Sequence, residues 1–394
     1  MLIGHCAQQY PEKRNIIGKI PGARYKLCRD LYSLRSALKS RLGIRSQEKY
    51  EFLFDDLGLN RVDFFHFFNH VNAGMRSWDR PWVTTFETLL PRIPEAFEAW
   101  RAVSRVRNDG VLQRCLDALA SDRCIGLIGL STNAVGLQGR FLDLYPEYKP
   151  SIIAKTCVVH PPQKTYAPDW ERKENHDIIH FALIGHAYFR KGGREIVGAL
   201  ARLRKRGRKN FRLTIVSQLK TDHYATKTAA VDVGIARMQI AENAEWVRHY
   251  DFLEPTEVHR LMETVDVGLL PSHAETYGYS VLEFQAHGVP VVTTNIRAFP
   301  EINTEACGWV IKVETNSVGE AFYETEKQRQ SLSSSIEEQL LHICEGILSE
   351  PSEILEKGRL AHERVRALHD PNHHAEALLE VYNCHGFEVE RGKD

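Results

Sequence analysis

The sequence predicts an α/β protein with two domains, each built around a mainly parallel, doubly wound sheet. Short apolar runs typical of strands alternate with helical stretches along most of the 394 residues. A polar, proline-containing stretch, Pro161–His176, interrupts this alternation and marks the expected domain boundary. The length also agrees with two or three domains of roughly 150 residues each.

The N-terminal region contains an expected helix, Arg24–Leu42, in which leucines recur every three or four residues. Its other faces are mostly basic, with Asp30 as the single acid. Two interpretations are open. Most amphipathic helices cover the core of their own domain, whereas a basic one can also lie on an anionic membrane surface.

The remaining first half and the whole second half alternate between strands and helices. In the first half we predict strands at Val62–Phe68, Trp82–Phe86 and Cys124–Gly129, with long helical stretches such as Glu95–Leu119 between them. The second half contains predicted strands at Ile178–Ile184, Arg212–Val216, Glu245–Tyr250, Val267–Leu270, Val289–Thr293 and Gly308–Val313. Helices at Arg194–Lys205, Thr256–Thr264 and Ser280–His287 alternate with them, and 317–386 is helical. This β-α-β repeat is typical of a Rossmann-like domain.

Composition excludes several classes of protein. Lys+Arg and Asp+Glu both number 51, so the net charge is zero, whereas a nucleic-acid binder usually carries a basic excess. The eight cysteines form no C-x-x-C pair, which disfavours zinc and dithiol chemistry and suits a reducing compartment. No stretch approaches the ~18 apolar residues that span a bilayer, and the N-terminus lacks a signal-peptide run. We therefore expect a cytoplasmic protein.

The first candidate phosphate-binding segment is IGHAYFRKGG, Ile184–Gly193, between a strand and a helix. Its final glycines allow the backbone to approach a ligand closely. The helix that follows offers free N–H groups to an anion. Lys191 and Arg190 add positive charge at the same place. Glycines also punctuate ordinary turns, so both readings are open for this segment alone.

The second candidate segment, Pro271–Thr294, has the same strand, loop and helix order. Gly278 can adopt a backbone shape that points N–H groups at a phosphate. Glu283 lies about one turn into the helix, where its carboxylate can accept hydrogen bonds from ribose hydroxyls, and Glu275 lies at the carboxyl end of the strand. The whole pattern favours a ligand site over a surface loop with two unrelated acids.

These segments resemble the retaining, GT-B-fold glycosyltransferases of family 4. The resemblance rests on PSHAETYGYSVLE, on GVPVVTTNIRAFPEI that follows it, and on FALIGHAYFRKGG. It is strong across 177–313 and fainter across 60–160, where VDFFHFFNH and PWVTTFET are similar to family strands. It implies the GT-B fold: two Rossmann-like domains facing a cleft, here 1–162 and 177–370. A closing segment, 371–394, would return to the first domain through a helix near Asn372–Tyr382.

The resemblance also implies a set of roles. Glu283 would hold the ribose, Glu275 would contact the sugar hydroxyls, and Lys191 with Arg190 would stabilise the leaving diphosphate. The remaining donor-binding positions, which act mostly through the backbone, would be Gly185, Gly192, Gly278, Tyr279, Ser280 and Val281. No D-x-D motif in a sugar-binding context points to a metal, so no metal and no cofactor beyond the nucleotide sugar is expected.

Three positions depart from the family pattern or leave roles open. His186 stands where many members have arginine, and Arg190 is a candidate for the missing charge. Glu87 stands where members often have histidine, and it is open whether it acts on acceptor or sugar or is structural. His66 is a second candidate, although a single histidine beside a strand more often serves packing.

The resemblance implies transfer of a sugar, with retention, from a UDP- or GDP-linked donor to a glycan or lipid-linked acceptor. The basic N-terminal helix is compatible with peripheral contact at the inner face of a membrane. An alternative is a degenerate GT-B subunit that binds nucleotide but has lost acceptor chemistry. A nucleotide-sugar epimerase is a third reading, which the specificity of the Pro271–Glu301 match disfavours.

Overall fold

A computed structural model of the protein describes residues 1–32, 52–74, 80–106, 109–168, 170 and 177–383. They form two compact units, one of Met1–Pro162 with the chain from His369 onward and one of Gln163–Leu368. The predictions made for 33–42 and for the last residues, 384–394, lie outside the described residues. No helix within the described ranges is long and apolar enough to cross a membrane.

The first unit is built around a six-stranded parallel sheet with the order β2-β1-β4-β6-β7-β8. Two short strands, β3 and β5, pair separately. The strands are β1 Leu2–His5, β2 Arg24–Leu27, β3 Leu53–Phe54, β4 Phe64–Phe68, β5 Val71–Asn72, β6 Trp82–Phe86, β7 Cys124–Gly129 and β8 Thr156–Val158. The helices are α1 Tyr10–Asn15, α2 Pro94–Ala102, α3 Gly110–Ala120, α4 Thr132–Leu142 and α5 Lys149–Ile153.

Both faces of this sheet are buried, as expected for a parallel sheet covered by helices. Strand β4 shows the alternation: Phe65 and Phe67 enter one core, whereas Phe64 enters the other. The second core also contains Leu378 and Tyr382 from the C-terminal helix. The strand is therefore buried along its whole length and apolar except at His66, which is why it could be predicted from the sequence.

The predicted helix Arg24–Leu42 is wrong at its beginning. Arg24–Leu27 is instead the edge strand β2, which pairs in parallel with β1 from Leu2↔Arg24 to His5↔Leu27. Leucine spacing records only local periodicity, and pairing with a strand 22 residues away in sequence overrides it here. Leu27 is exposed rather than on a buried helix face.

The single helical stretch predicted for Glu95–Leu119 is two helices, α2 and α3. Helix α2 ends at Val103, which takes the left-handed conformation with φ 50°. Helix α3 begins after Asp109, whose side chain accepts hydrogen bonds from the N–H groups of Val111 and Leu112. This N-cap is a start signal of the kind that aspartate provides.

The second unit repeats the architecture with the sheet order β11-β10-β9-β12-β13-β14, again all parallel. Its strands are β9 Ile179–Ala187, β10 Phe211–Gln218, β11 Val247–Tyr250, β12 Val267–Leu270, β13 Val291–Thr294 and β14 Gly308–Ile311. Its helices are α6 Gly193–Lys205, α7 Ala230–Glu242, α8 Pro255–Thr264, α9 Tyr279–Ala286, α10 Phe299–Ile302, α11 Glu326–Ser349 and α12 Ser352–Leu368. Each predicted strand of this half is present, with ends shifted by a few residues.

The strand order of the second sheet reverses between β9 and β12. From β9 the chain proceeds outward through β10 and β11, and it then returns to place β12 on the other side of β9. Ligands of open parallel sheets bind beyond the carboxyl ends of the strands at such a switch point. The loops after β9 and β12 are therefore the place to look for a site.

The last helix, α13 Pro371–Asn383, belongs to the first unit. His66 joins it to the sheet, because its Nδ1 lies 2.6 Å from the Tyr382 hydroxyl and its Nε2 lies 2.8 Å from Thr85 Oγ1. His374 adds a second link to the main chain, since its ring nitrogens contact the carbonyl oxygens of His160 and Asn15. A C-terminal helix packed on the first sheet is what the fold prediction included.

Candidate active site

The loop after β9 ends at Gly192, a position that a residue with a side chain would not fit. Gly192 is the N-cap of helix α6 and has φ +80°, a left-handed conformation. A Cβ atom here would lie 2.5 Å from the carbonyl oxygen of Pro271. The loop after β12 therefore packs directly on the beginning of α6, whose first-turn N–H groups suit an anion.

The loop after β12 ends in the same way. Gly278 is the N-cap of helix α9, at φ +95°, and a Cβ atom would lie 2.3 Å from Phe299 Cε1. Tyr279 and Ser280 follow it in the first turn, partly buried. Glu283, the fifth residue of α9, is also partly buried. The two helices thus begin after the loops that follow the neighbouring strands β9 and β12.

Lys191 and Glu275 meet between these two helix starts. The Lys191 ammonium forms a direct ion pair with Glu275 Oε2. Both side chains are 12% exposed, so the pair is largely shielded from solvent. The Lys191 stem packs over Gly185, where a Cβ atom would lie 3.3 Å from Lys191 Cε. The Lys191 ammonium can therefore exchange its contact with the Glu275 carboxylate for a contact with the phosphate of an incoming ligand.

Arg190 faces a different part of the unit. Its guanidinium carbon lies 5.9 Å from the ring centroid of Tyr224, on the loop after β10. Burial alone would raise the pKa of Asp222 on that loop, but hydrogen bonds from Thr226 and the Arg190 charge lower it. The carbonyl oxygen of Arg190 accepts the His273 N–H at 2.9 Å. His186, the departure from the family pattern, is exposed.

Glu87 lies at the carboxyl end of β6 in the first unit. Its Oε1 pairs with Arg92 Nη1 at 2.6 Å, and its N–H donates to Asn69 Oδ1 at 3.3 Å. Burial raises the pKa of the nearby Glu12 carboxyl, and the charge of Glu87 adds to that rise. Glu87 is thus an acid anchored by Arg92, with a second acid close by.

His66 fits the packing interpretation. It is fully buried, and burial, followed by the charge of His374, lowers its pKa to about 3. It is neutral near pH 7 and spans Thr85 and Tyr382. Its hydrogen bonds hold helix α13 to the sheet.

A buried acid and a buried histidine near the Lys191–Glu275 pair were not predicted from the sequence. Glu195 and His273 are each 1% exposed, and Glu195 Oε1 lies 3.2 Å from His273 Nε2. Glu195 shares a helix face with Ala199 and Leu203, both buried. A charged residue on an apolar helix face is a signal that could have revealed it.

A metal centre has no candidate among the described residues. Their His, Cys, Asp and Glu side chains form no group of three or more that could hold a metal ion. Lys191 and Glu275 are charged groups at the switch point.

Two units, each with a parallel sheet covered by helices, and a C-terminal helix packed on the first unit define the GT-B class of fold. The structure of HepE from Anabaena in complex with UDP superposes with a TM-score of 0.60 at 13% identity, covering 97% of this chain and 99% of HepE. Residues 178–325 match the profile of the family described as glycosyl transferases group 1. The second unit therefore carries a glycosyl transferases group 1 domain.

Two curated relatives match over short stretches. The O-antigen biosynthesis glycosyltransferase WclY of Escherichia coli is 41% identical over 63 residues, 16% of this chain and 17% of WclY. Glycogen synthase of Mycobacterium tuberculosis is 30% identical over 118 residues, 30% of this chain and 26% of that enzyme. The aligned stretches span about a quarter or less of these relatives.

Proposed function

We propose that the protein is a metal-independent glycosyltransferase that uses a UDP- or GDP-linked sugar and retains the anomeric configuration. The observation that carries the proposal is the Lys191–Glu275 ion pair at the switch point, between the helices that begin after Gly192 and Gly278. A dinucleotide-type fold binds phosphates at this place. The group 1 profile over 178–325 supports a sugar nucleotide as the ligand.

Donor binding would rearrange the ion pair. The diphosphate competes for the Lys191 ammonium, and the N–H groups from Gly278 to Val281 bind the same anion. Glu275, released from Lys191, then accepts hydrogen bonds from the sugar hydroxyls. Glu283 accepts hydrogen bonds from the ribose. In the absence of donor, the Lys191–Glu275 ion pair therefore compensates both charges, and the bound donor takes over this role.

The transfer step would follow a front-face route. The bond between the anomeric carbon and the diphosphate oxygen breaks, and its electrons leave with the diphosphate. The acceptor hydroxyl oxygen bonds to the anomeric carbon on the same face, and its proton passes to the departing diphosphate. Lys191 stabilises the charge that develops there, and Arg190 would assist by turning from Tyr224 towards the diphosphate. Loss of one such group typically costs about 10²–10³ in rate.

The acceptor side of the proposal rests on Glu87 and on the relatives. Glu87 lies at a carboxyl strand end of the first sheet, held by Arg92, and would contact the acceptor or the sugar. The name of WclY supports a glycan or lipid-linked acceptor of surface-polysaccharide assembly. In this proposal no cofactor beyond the donor is needed.

Peripheral membrane contact is part of the same proposal. Arg24, Lys26 and Arg29 are exposed on or next to the edge strand β2, where Leu27 is also exposed. Such a surface suits anionic lipid headgroups. Co-sedimentation with vesicles of anionic lipid, but not with zwitterionic vesicles, is the expected result. Equal recovery with both kinds of vesicle would contradict the contact.

The test of the donor site compares Lys191→Ala with Lys205→Ala. Lys205 is an exposed lysine at the other end of helix α6, so it controls for loss of charge alone. Titration calorimetry with UDP and GDP, together with a donor-hydrolysis assay, should show nucleotide binding and turnover in the parent protein. Lys191→Ala should lower turnover by about 10²-fold or more, whereas Lys205→Ala should leave it unchanged. Equal turnover in both variants would refute the role of Lys191.

The second candidate function is a nucleotide-binding subunit without transferase activity. His186 favours it, because an exposed histidine replaces an arginine common in the family. Binding of UDP or GDP without donor hydrolysis or transfer to any of a broad panel of acceptors would support this alternative. His186→Arg would then be expected to raise donor hydrolysis.

A further inference from the structure

A buried contact between a glutamate and a histidine lies close in sequence to both members of the Lys191–Glu275 pair. Glu195 is the third residue of helix α6, and His273 lies on the loop after β12, two residues before Glu275. Glu195 Oε1 is 3.2 Å from His273 Nε2 and accepts a hydrogen bond from Ser333 Oγ at 2.5 Å. The contact therefore links the element that begins after Lys191 to the loop that carries Glu275.

The same two loops are joined by their backbones. The His273 N–H donates to the Arg190 carbonyl oxygen at 2.9 Å. Gly192 lies so close to Pro271 that a Cβ atom would be 2.5 Å from the Pro271 carbonyl oxygen. These contacts flank Lys191 on both sides. A shift of one loop against the other would therefore move Lys191 relative to Glu275.

Several groups surround the buried carboxylate. Arg194 Nη2 is 3.3 Å from Glu195 Oε1, Ser333 donates to it from helix α11, and Tyr188 lies on the preceding loop. Burial alone would raise the pKa of Glu195, but His273, Arg194 and Ser333 lower it to about 2. The carboxylate is thus ionised near neutral pH, and the groups around it compensate its buried charge.

We propose that Glu195 and His273 are a positioning pair that fixes the loop after β9 against the loop after β12, and so sets where Lys191 and Glu275 stand. Neither residue contacts the donor in this role. The expected effect on turnover rests on the proposed function, whereas the fixed position of one loop against the other does not. A displacement of about 1 Å at a site of this kind can cost about 10²-fold in rate.

A purely stabilising pair would give a different result, and one double variant separates the two cases. Removing one partner leaves an uncompensated buried charge, which is strongly destabilising, whereas apolar residues in place of both are often neutral or stabilising. Glu195→Leu with His273→Leu should therefore restore stability without restoring the loop contact. Glu195→Gln, which is isosteric, serves as a second variant that keeps the volume.

The control is Asp266→Asn. Asp266 is another buried carboxylate of this unit, and its Oδ2 accepts the His180 N–H at 2.8 Å. It precedes β12 at the amino end of the sheet, away from the switch point. Asp266→Asn should lower the midpoint temperature of thermal unfolding. It should leave kcat and the protection of the two loops against hydrogen exchange unchanged.

The experiment combines hydrogen exchange, thermal unfolding and donor turnover in the full chain. In Glu195→Gln and in the double variant we expect faster exchange in peptides covering 188–193 and 271–278, and a kcat about 10²-fold lower. The double variant should at the same time unfold at or near the parent temperature. Parent-like exchange in a stably folded double variant would overturn the proposal, as would parent-like kcat. If the parent protein turns over no donor, the proposed function fails. Hydrogen exchange still decides whether the Glu195–His273 pair holds the two loops in position.

Discussion

Gly192 shows at the scale of one residue how closely the two loops of the site approach. Its φ of +80° is costly for other residues, and a Cβ atom would also meet Pro271. Gly207 provides a control, because it has φ +90° but nothing within 4 Å of a Cβ position. Gly207→Ala should cost about 1–2 kcal/mol, the ordinary cost of a left-handed alanine. Gly192→Ala should cost more and weaken UDP or GDP binding, as measured by urea unfolding and calorimetry; equal losses of stability would contradict the close approach.

Glu283 carries a second prediction at this scale. A carboxylate that accepts hydrogen bonds from a ribose contributes about 1.5–3 kcal/mol per charged hydrogen bond. Glu283→Gln should therefore weaken UDP or GDP binding by about tenfold or more, whereas Glu263→Gln, on the exposed face of helix α8, should not. Calorimetric titration of both variants checks this. Unchanged affinity in Glu283→Gln would show that the ribose lies elsewhere.

Tyr382 attaches helix α13 to the first sheet through a hydrogen bond to His66. Its hydroxyl is the partner of His66 Nδ1 at 2.6 Å, in a site that is fully buried. Tyr382→Phe leaves this histidine nitrogen without its partner, at a cost of about 1–3 kcal/mol. Tyr250→Phe, at a 44% exposed tyrosine, should have little effect. Urea unfolding of both variants tests the difference, and equal unfolding midpoints would refute the role of the hydroxyl in holding α13.

At the scale of elements, the sequence predicted strands well where burial is continuous. Phe64–Phe68 and Val267–Leu270 are buried along their whole length because helices cover both faces of each sheet, and they are apolar except at His66. Arg24–Leu27 is different, since it is an exposed edge strand whose conformation depends on its pairing with β1. Its leucine spacing imitates a helix, and no local pattern records the partner strand.

The same reasoning separates the parts of the site. Lys191 and Glu275 are 84 residues apart, yet glycines and strand ends marked both loops, because each loop has its own local signature. The Glu195–His273 pair has no such signature. It exists because β9 and β12 are neighbours in the sheet, which brings the beginning of α6 against the loop after β12. Pairings that depend on strand order become visible only in the folded molecule.

At the scale of the whole molecule, two buried groups predict how stability depends on pH. Burial, followed by the charge of His374, lowers the pKa of His66 from 6.5 to about 3, so folding favours its neutral form. The stabilisation that depends on this form is present above pH 6.5 and is lost as pH falls towards 3. Glu195, whose pKa falls from 4.5 to about 2, adds a loss that begins only below pH 4.5.

His66→Asn tests the first of these losses, because asparagine does not titrate. The parent should lose up to about 1.4 kcal/mol per pH unit below pH 6.5 through His66 alone. The parent and the variant should therefore differ more in unfolding free energy at pH 7.5 than at pH 5.5, with the gap narrowing by about 1.4 kcal/mol. His374, also buried with a lowered pKa, stays in both proteins and leaves a shared slope. Urea unfolding at the two pH values measures this difference in unfolding free energy. A difference independent of pH would show that His66 has the same pKa in the folded and the unfolded protein.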